Sequence, residues 1–265
     1  MSGARCTMTT FTVERVVNVH HWNDTLFTFN TTRDTALRFE SGQFLMLGLE
    51  VDGKPLMRAY SLASAHYDER LEFFSIKVPH GALTSRLQHL RVDDPVLVGR
   101  KAHGTLLLHD LLPGRHLYLF GTGTGLAPFL SIIKDPATYE RFEKVALVHG
   151  VRMKSELAYA SIIEEEVPSN ELVGAHVRAK LIYYPTVTRE PFRNAGRLPE
   201  LIKTRQLFTD IGLPPLDPAV DRVMLCGSPS MLKTMRALLD GDGFSVSPRI
   251  GERGHYVLER AFVER

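Results

Sequence analysis

Cysteine is nearly missing from this chain: there are two in 265 residues, Cys6 and Cys226, far apart in sequence. Two such thiols cannot by themselves ligate a zinc ion or an iron–sulfur cluster. Charge of either sign has no surplus, with 32 Lys and Arg against 30 Asp and Glu, so the formal net charge is only +2. That balance gives no case for nucleic acid or a membrane surface as partner. No apolar run approaches transmembrane length, and residues 1–10 lack the apolar core of a signal peptide. Histidine is more plentiful, but no HxH, HxxxH or HExxH arrangement occurs. His20 and His21, adjacent on a strand, would face opposite ways. No metal is expected, and the composition suits a soluble protein of a reducing cytoplasm.

What is present is an ordinary apolar content of 44%, enough for one large or two medium domains. The first part reads as β. Short runs at 11–19, 26–30, 44–49, 71–78 and 94–99 are separated by Gly, Asn and Asp turns. Asp52-Gly53 is a hairpin signal between the run at 44–49 and the strand around Arg58. Strands so short and evenly spaced suggest an antiparallel barrel. After Leu112-Pro113-Gly114 the pattern changes to α/β, with strands at 115–120, 144–149 and 181–184 and helices at 127–134 and 155–166. The expectation is therefore two domains, a β-barrel over 1–112 and a parallel-sheet α/β domain over 113–265.

Three stretches carry chemistry. Alternation along Arg58-Ala59-Tyr60-Ser61-Leu62-Ala63 puts Arg58, Tyr60 and Leu62 on one face and Ala59, Ser61 and Ala63 on the other. A guanidinium can fork onto a phosphate, and a phenol ring two residues on can lie against an aromatic heterocycle. Ser61 adds a hydroxyl beside that ring. Downstream, Gly81-Ala82-Leu83-Thr84 precedes a short helix expected at 85–90. Small residues at a helix start can turn backbone N–H groups toward an anion, or can simply cap the helix. Third, a buried strand runs into Gly121-Thr122-Gly123-Thr124-Gly125, and Pro128 sits in the first turn of the next helix. The glycine spacing is not G-x-G-x-x-G.

Strand ends in α/β sheets are where ligands gather. The strand at 144–149 ends near Arg152, and Arg189 and Arg197 follow the next one. Three arginines on loops suit a ribose 2′-phosphate through charge-assisted hydrogen bonds, and so favour NADP over NAD. Cys226 closes a further strand just before Gly227-Ser228-Pro229, where it reads equally as a small buried residue.

Arg58-Ala59-Tyr60-Ser61 resembles the flavin-binding strand of the ferredoxin–NADP reductase family. The 77–87 stretch resembles that family's FAD pyrophosphate cradle, and Gly121–Pro128 its nucleotide turn. The resemblance implies FAD held by Arg58, Ala59, Tyr60, Ser61, Ser75, Ile76, Lys77, Ala82, Leu83, Thr84, Thr124 and Phe262. It implies NADP(H) held by Gly123, Thr124, Arg152, Arg189, Arg197 and Cys226. For the reaction it points to Tyr60 packed on the isoalloxazine, Ser61 near flavin N5, Cys226 beside the nicotinamide, Glu259 and Ala261. Plant-type relatives end in E-x-Y with a ring over the flavin. Here Glu259-Arg260-Ala261 places alanine there, and the tail continues with Phe262, as in a bacterial subclass whose extension returns to the FAD.

The implied activity is electron transfer between NADP(H) and ferredoxin or flavodoxin. It proceeds by hydride transfer between nicotinamide C4 and flavin N5 and then single-electron steps. The implied protein is a monomer of the bacterial type. A flavin or ferric-complex reductase on the same scaffold and a non-catalytic flavin sensor stand as alternatives.

Overall fold

The computed structural model describes residues 10–261. Six strands form the first sheet: β1 (Phe11–His21), β2 (Leu26–Thr31), β3 (Phe44–Val51), β4 (Lys54–Ser61), β5 (Leu71–Ile76) and β6 (Pro95–Gly99). Their order is β4-β3-β6-β1-β2-β5, every pairing antiparallel. The sheet curls so far that its two edges meet at an isolated bridge between Leu62 and Phe73. That closure is the expected barrel. Phe27, Phe29, Phe73, Leu45 and Leu47 fill its interior, and each fully buried ring or Leu is worth about 1.5–3 kcal/mol. The hairpin between β3 and β4 turns at Asp52 and Gly53, whose φ values are 51° and 71°. Two left-handed residues match the twist of the strands they join, so this two-residue loop fixes the register of the Arg58 strand. The expected helix after Thr84 is a single turn, α1 (Thr84–Leu87).

The second sheet is parallel: β7 (His116–Thr122), β8 (Lys144–Val151), β9 (Leu181–Val187), β10 (Asp221–Gly227) and β11 (Tyr256–Arg260), in the order β11-β10-β7-β8-β9. Alternation sorts its side chains between two cores. Leu117, Leu119, Val145 and Leu147 pack beneath α2 (Ala127–Ile133), α3 (Pro136–Arg141) and α4 (Gly174–Lys180). Tyr118, Phe120, Ala146 and Val148 pack beneath α5 (Leu198–Lys203), α6 (Gln206–Ile211) and α7 (Pro229–Gly241). Pro185 is tolerated inside β9 because β9 is an edge strand.

The segment expected as one helix over 155–166 is not one. It breaks into a 3-10 turn (Lys154–Glu156), a π turn (Ile162–Glu166) and another 3-10 turn (Val167–Ser169). The interruption lies at 157–159, after which residues 160–169 coil continuously, and Pro168, with no N–H to return to the carbonyl of Glu164, stands in their last turn. The strands at 71–78 and 181–184 are also redrawn, ending at Ile76 and extending to Val187.

The two sheets are joined firmly. Leu26, Ala63, Phe74, Leu106 and Leu111 belong to the same apolar cluster as Leu117 and Phe129. Two arginines clasp the connecting chain. Arg141 donates to the carbonyls of Leu108, Leu111 and Leu112, and Arg222 to those of Leu112 and Pro113. Carbonyls that lie between two domains thereby find charged donors.

Candidate active site

A cleft opens between the two sheets, lined by Ala59, Tyr60, Ser61, Phe74, Ser75, Ile76 and Thr84 of the barrel and by Thr124, Ala127 and Ala261 of the parallel-sheet side. The hairpin register carries 59–61 to one wall and β5 brings 74–76 beside them. The Tyr60 hydroxyl lies 3.3 Å from Ser75 Oγ, and the Tyr60 ring meets Phe73 edge-on at 6.4 Å. The phenol is therefore anchored at both its tip and its edge, on the cleft wall. Ser61, Ser75, Thr84 and Thr124 set hydroxyls around it, which is the donor and acceptor set that an edge-polar, flat ring system needs. A second, wider opening lies by Phe39, His66, His109 and Asp135, and none of the predicted residues lines it.

The opposite wall is the glycine turn after β7. It bends as a 3-10 turn (Gly123–Leu126) with Gly123 at φ 55°, a left-handed position that favours glycine. A residue that the sequence did not single out holds this turn. His149, fully buried at the end of β8, has Nε2 3.1 Å from the Gly123 carbonyl oxygen. That carbonyl can only accept, so Nε2 carries the proton. Burial pushes the imidazole down to about 4, which keeps it neutral. Only the strand-end position of His149 could have signalled this role.

Other predicted residues fall outside the cleft lining. The Arg58 guanidinium donates to the Met57 carbonyl at 2.8 Å. Lys77 Nζ donates to the Asn23 carbonyl at 2.6 Å. Leu83 is fully buried in the barrel core, so its side chain faces away from any ligand, while Ala82 is exposed. Thr84, by contrast, does line the cleft, with its hydroxyl 3.4 Å from the Val78 carbonyl oxygen. Phe262 lies outside the described residues. The cleft-lining residues not predicted are Phe74, hidden in what reads as a core run, and Ala127, which follows the glycine turn without any polar mark.

Cys226 is buried at the end of β10. Expected as a nicotinamide contact, it is 1% exposed, and burial, aided by Glu259, pushes its thiol well above the ordinary range. It is a small core residue beneath the glycine turn rather than an accessible or reactive one. Glu259 pairs in register with Cys226 across β10 and β11. Its Oε2 accepts the Thr105 N–H at 3.0 Å, and burial raises its carboxyl to about 7 against the opposing pull of that bond.

Backbone contacts join the segments on which the three arginines lie. The Arg189 N–H donates to the Arg152 carbonyl at 2.9 Å, and the Gly196 N–H to the Val187 carbonyl at 3.3 Å. Gly150 packs against Leu198. The chain segments that carry Arg152, Arg189 and Arg197 thus adjoin at the carboxyl ends of β8 and β9, with all three side chains exposed. Among the described residues none of the three takes part in an ion pair, whereas Arg193 pairs with Glu164 at 2.6 Å.

Comparison with known proteins decides the family. The model described as Oxidoreductase FAD-binding domain matches residues 11–104, and that described as Oxidoreductase NAD-binding domain matches 119–237. Ferredoxin–NADP reductase of Pseudomonas aeruginosa is 64% identical over 97% of this chain and 100% of its own. The chain belongs to the ferredoxin–NADP reductase family. Flavodoxin/ferredoxin–NADP reductase of Rhodobacter capsulatus is 45% identical over 94% of this chain and 93% of its own. A ferredoxin NADP+ reductase from Neisseria gonorrhoeae, solved with bound FAD and NADP, superposes with a TM-score of 0.87. It is 30% identical and covers 96% of this chain and 99% of its own. In this chain the cleft draws its lining from both matched ranges, from Ala59 to Thr84 in the first and Thr124 and Ala127 in the second.

Proposed function

We propose that the chain is an FAD-dependent oxidoreductase that carries electrons between NADP(H) and ferredoxin or flavodoxin. The observation that carries the reading is the cleft itself. One wall is a barrel strand bearing an anchored Tyr60 and Ser61, and the other is the glycine turn of a nucleotide-type sheet. FAD, when bound, exchanges a hydride with the nicotinamide and single electrons with the protein carrier.

The chain's own residues bind and orient. Tyr60 packs one face of the flavin, Ser61 lies beside its reactive edge, and Thr84, Ser75 and Thr124 offer hydroxyls around it. Arg58, Lys77 and the backbone of Ala82 and Leu83 hold the FAD diphosphate side, after Arg58 and Lys77 exchange their present carbonyl acceptors for a dianion. Arg152, Arg189 and Arg197 receive the 2′-phosphate of NADP(H), and Gly123 lets the dinucleotide approach the backbone. Ala261 leaves the nicotinamide's stacking place open, and Glu259 sets the charge beside it. The domain boundary falls at 112/113. The protein works as a cytoplasmic monomer, for which sedimentation at working concentration is the check. Among the described residues no helix is long and apolar enough to cross a membrane.

The test is the visible spectrum of the purified protein, titrated anaerobically with NADPH and separately with NADH. Bleaching of a flavin band by NADPH at much lower concentration than by NADH is expected. A protein that shows no flavin even after FAD is added overturns the reading. Arg58→Ala is expected to lose FAD on gel filtration, and retention at the parent level would remove its phosphate role.

A further inference from the structure

A single file of hydrogen bonds crosses the seam between the two domains. Trp22 Nε1–H donates to Thr28 Oγ1 at 2.8 Å, and Thr28 Oγ1 lies 2.7 Å from the Tyr159 hydroxyl. Tyr159 donates to Glu72 Oε1 at 2.8 Å. Glu72 Oε2 lies 3.2 Å from Lys134 Nζ, which also donates to the Ala63 carbonyl at 3.1 Å. The order of donors is fixed by chemistry. An indole N–H only donates and a carboxylate only accepts, so Thr28 must donate to Tyr159 and Tyr159 to Glu72.

Trp22, Thr28, Ala63 and Glu72 belong to the barrel, while Lys134 and Tyr159 belong to the parallel-sheet side. The file therefore passes from barrel to nucleotide side, back to the barrel, across again to Lys134 and back to Ala63. Tyr159 is 1% exposed, set between Trp22 at 5.0 Å and Phe74 edge-on at 5.1 Å. Residues next to the file line both walls of the cleft, Phe74 through its ring contact with Tyr159. Ala63 follows Ser61 by two residues, Phe74 itself lines the cleft, and Lys134 directly follows α2, whose Ala127 lines the other side. A Lys–Glu pair and a buried phenol at a domain boundary do not make the best of stability alone, since well-packed apolar side chains would do as well. What they add is direction: hydrogen bonds fix a separation and an angle that apolar contact leaves adjustable.

We infer that Tyr159, acting with Glu72 and Lys134, is a positioning residue that sets the spacing of the two cleft walls for hydride transfer. The inference rests on the reductase reading above. Tyr159 touches neither flavin nor nicotinamide in this role; it acts through β5 and the chain after β4. Transfer between two bound rings depends steeply on their separation, so a wall displaced by a fraction of an ångström lowers the rate without weakening either binding site.

Tyr159→Phe keeps the ring between Trp22 and Phe74 and removes only the hydroxyl. Glu72→Gln keeps an acceptor for Tyr159 and removes the charge facing Lys134. The FAD-loaded proteins would be compared by anaerobic stopped-flow mixing with NADPH and by amide hydrogen exchange over 71–76. The expected result for Tyr159→Phe is an unchanged FAD content and an unchanged NADPH concentration at half-saturation. The limiting rate of flavin bleaching falls roughly tenfold, and exchange over 71–76 is faster. Glu72→Gln should fall between this variant and the parent. A parent-like bleaching rate in Tyr159→Phe overturns the inference, as does a slower rate that is wholly accounted for by lost FAD. If the parent itself is not bleached by NADPH, the functional reading fails. The exchange data then judge the clasp by themselves, and parent-like exchange in both variants sinks it.

Discussion

Gly125 lies directly against the backbone of Cys226: a Cβ added at 125 would stand 2.4 Å from the Cys226 carbonyl oxygen. The glycine turn after β7 is thus pressed onto the end of β10, and neither partner is a flexible side-chain tip that could yield. Gly125→Ala is expected to cost about 1–3 kcal/mol through forced backbone shifts, read as a lower thermal midpoint. Because the same turn forms the nucleotide wall, half-saturation by NADPH should also move to higher concentration. Gly123→Ala is the contrast. No atom lies within 4 Å of its added Cβ, and the strain comes from φ 55° alone. A Gly125→Ala protein with parent stability would show that the turn and β10 separate readily.

The convergence of Arg152, Arg189 and Arg197 predicts a change of nucleotide preference rather than of chemistry. Replacing any one by Ala removes a charged donor from an exposed site. The loss of one charge-assisted bond to a phosphate is expected to raise the NADPH concentration at half-saturation by roughly 10-fold. The response to NADH, which has no 2′-phosphate, should stay unchanged. Steady-state titration with both nucleotides checks this. An equal effect on the two would place the arginine elsewhere on the cofactor or in the fold.

Glu259 predicts a pH dependence whose sign follows from burial. Its carboxyl is raised from 4.5 to about 7, chiefly by removal from water. A carboxyl raised in the folded state binds its proton more tightly there than in the unfolded chain. Its contribution is complete below the unfolded value and is lost as pH rises through about 7. Glu259→Gln keeps the acceptor for the Thr105 N–H and cannot titrate. The variant should therefore gain on the parent between about pH 5 and about pH 8, by roughly 1 kcal/mol once its partial exposure is allowed for. For a chain of this size that is about 2–4 °C in thermal midpoint. A constant difference across that range would mean that the carboxyl does not titrate there.

Much of the architecture was legible in residue order. Asp52-Gly53 announced the β3–β4 hairpin because two adjacent left-handed positions are cheap only for such residues. The glycines from Gly121 to Gly125, followed by Pro128, marked the strand-to-helix turn for the same kind of local reason. The helix expected over 155–166 is interrupted at 157–159, where no glycine or proline in the sequence marks the break. The burial of Cys226 was not legible: the end of a parallel strand is where ligands gather, but nothing local tells how deeply the side chain is covered.

The sequence by itself determined the two sheets and the order of the binding motifs, because turns, alternation and glycine positions act over a few residues. Only the tertiary structure decided which of those motifs share a cleft. Ala261, Thr124 and Tyr60 meet there across 201 residues of chain. It also decided that His149 holds the Gly123 carbonyl and that Tyr159 bridges Thr28 and Glu72. Contacts of that kind depend on how two independently patterned domains are packed together, and packing is a property of shape and burial that no short stretch of sequence contains.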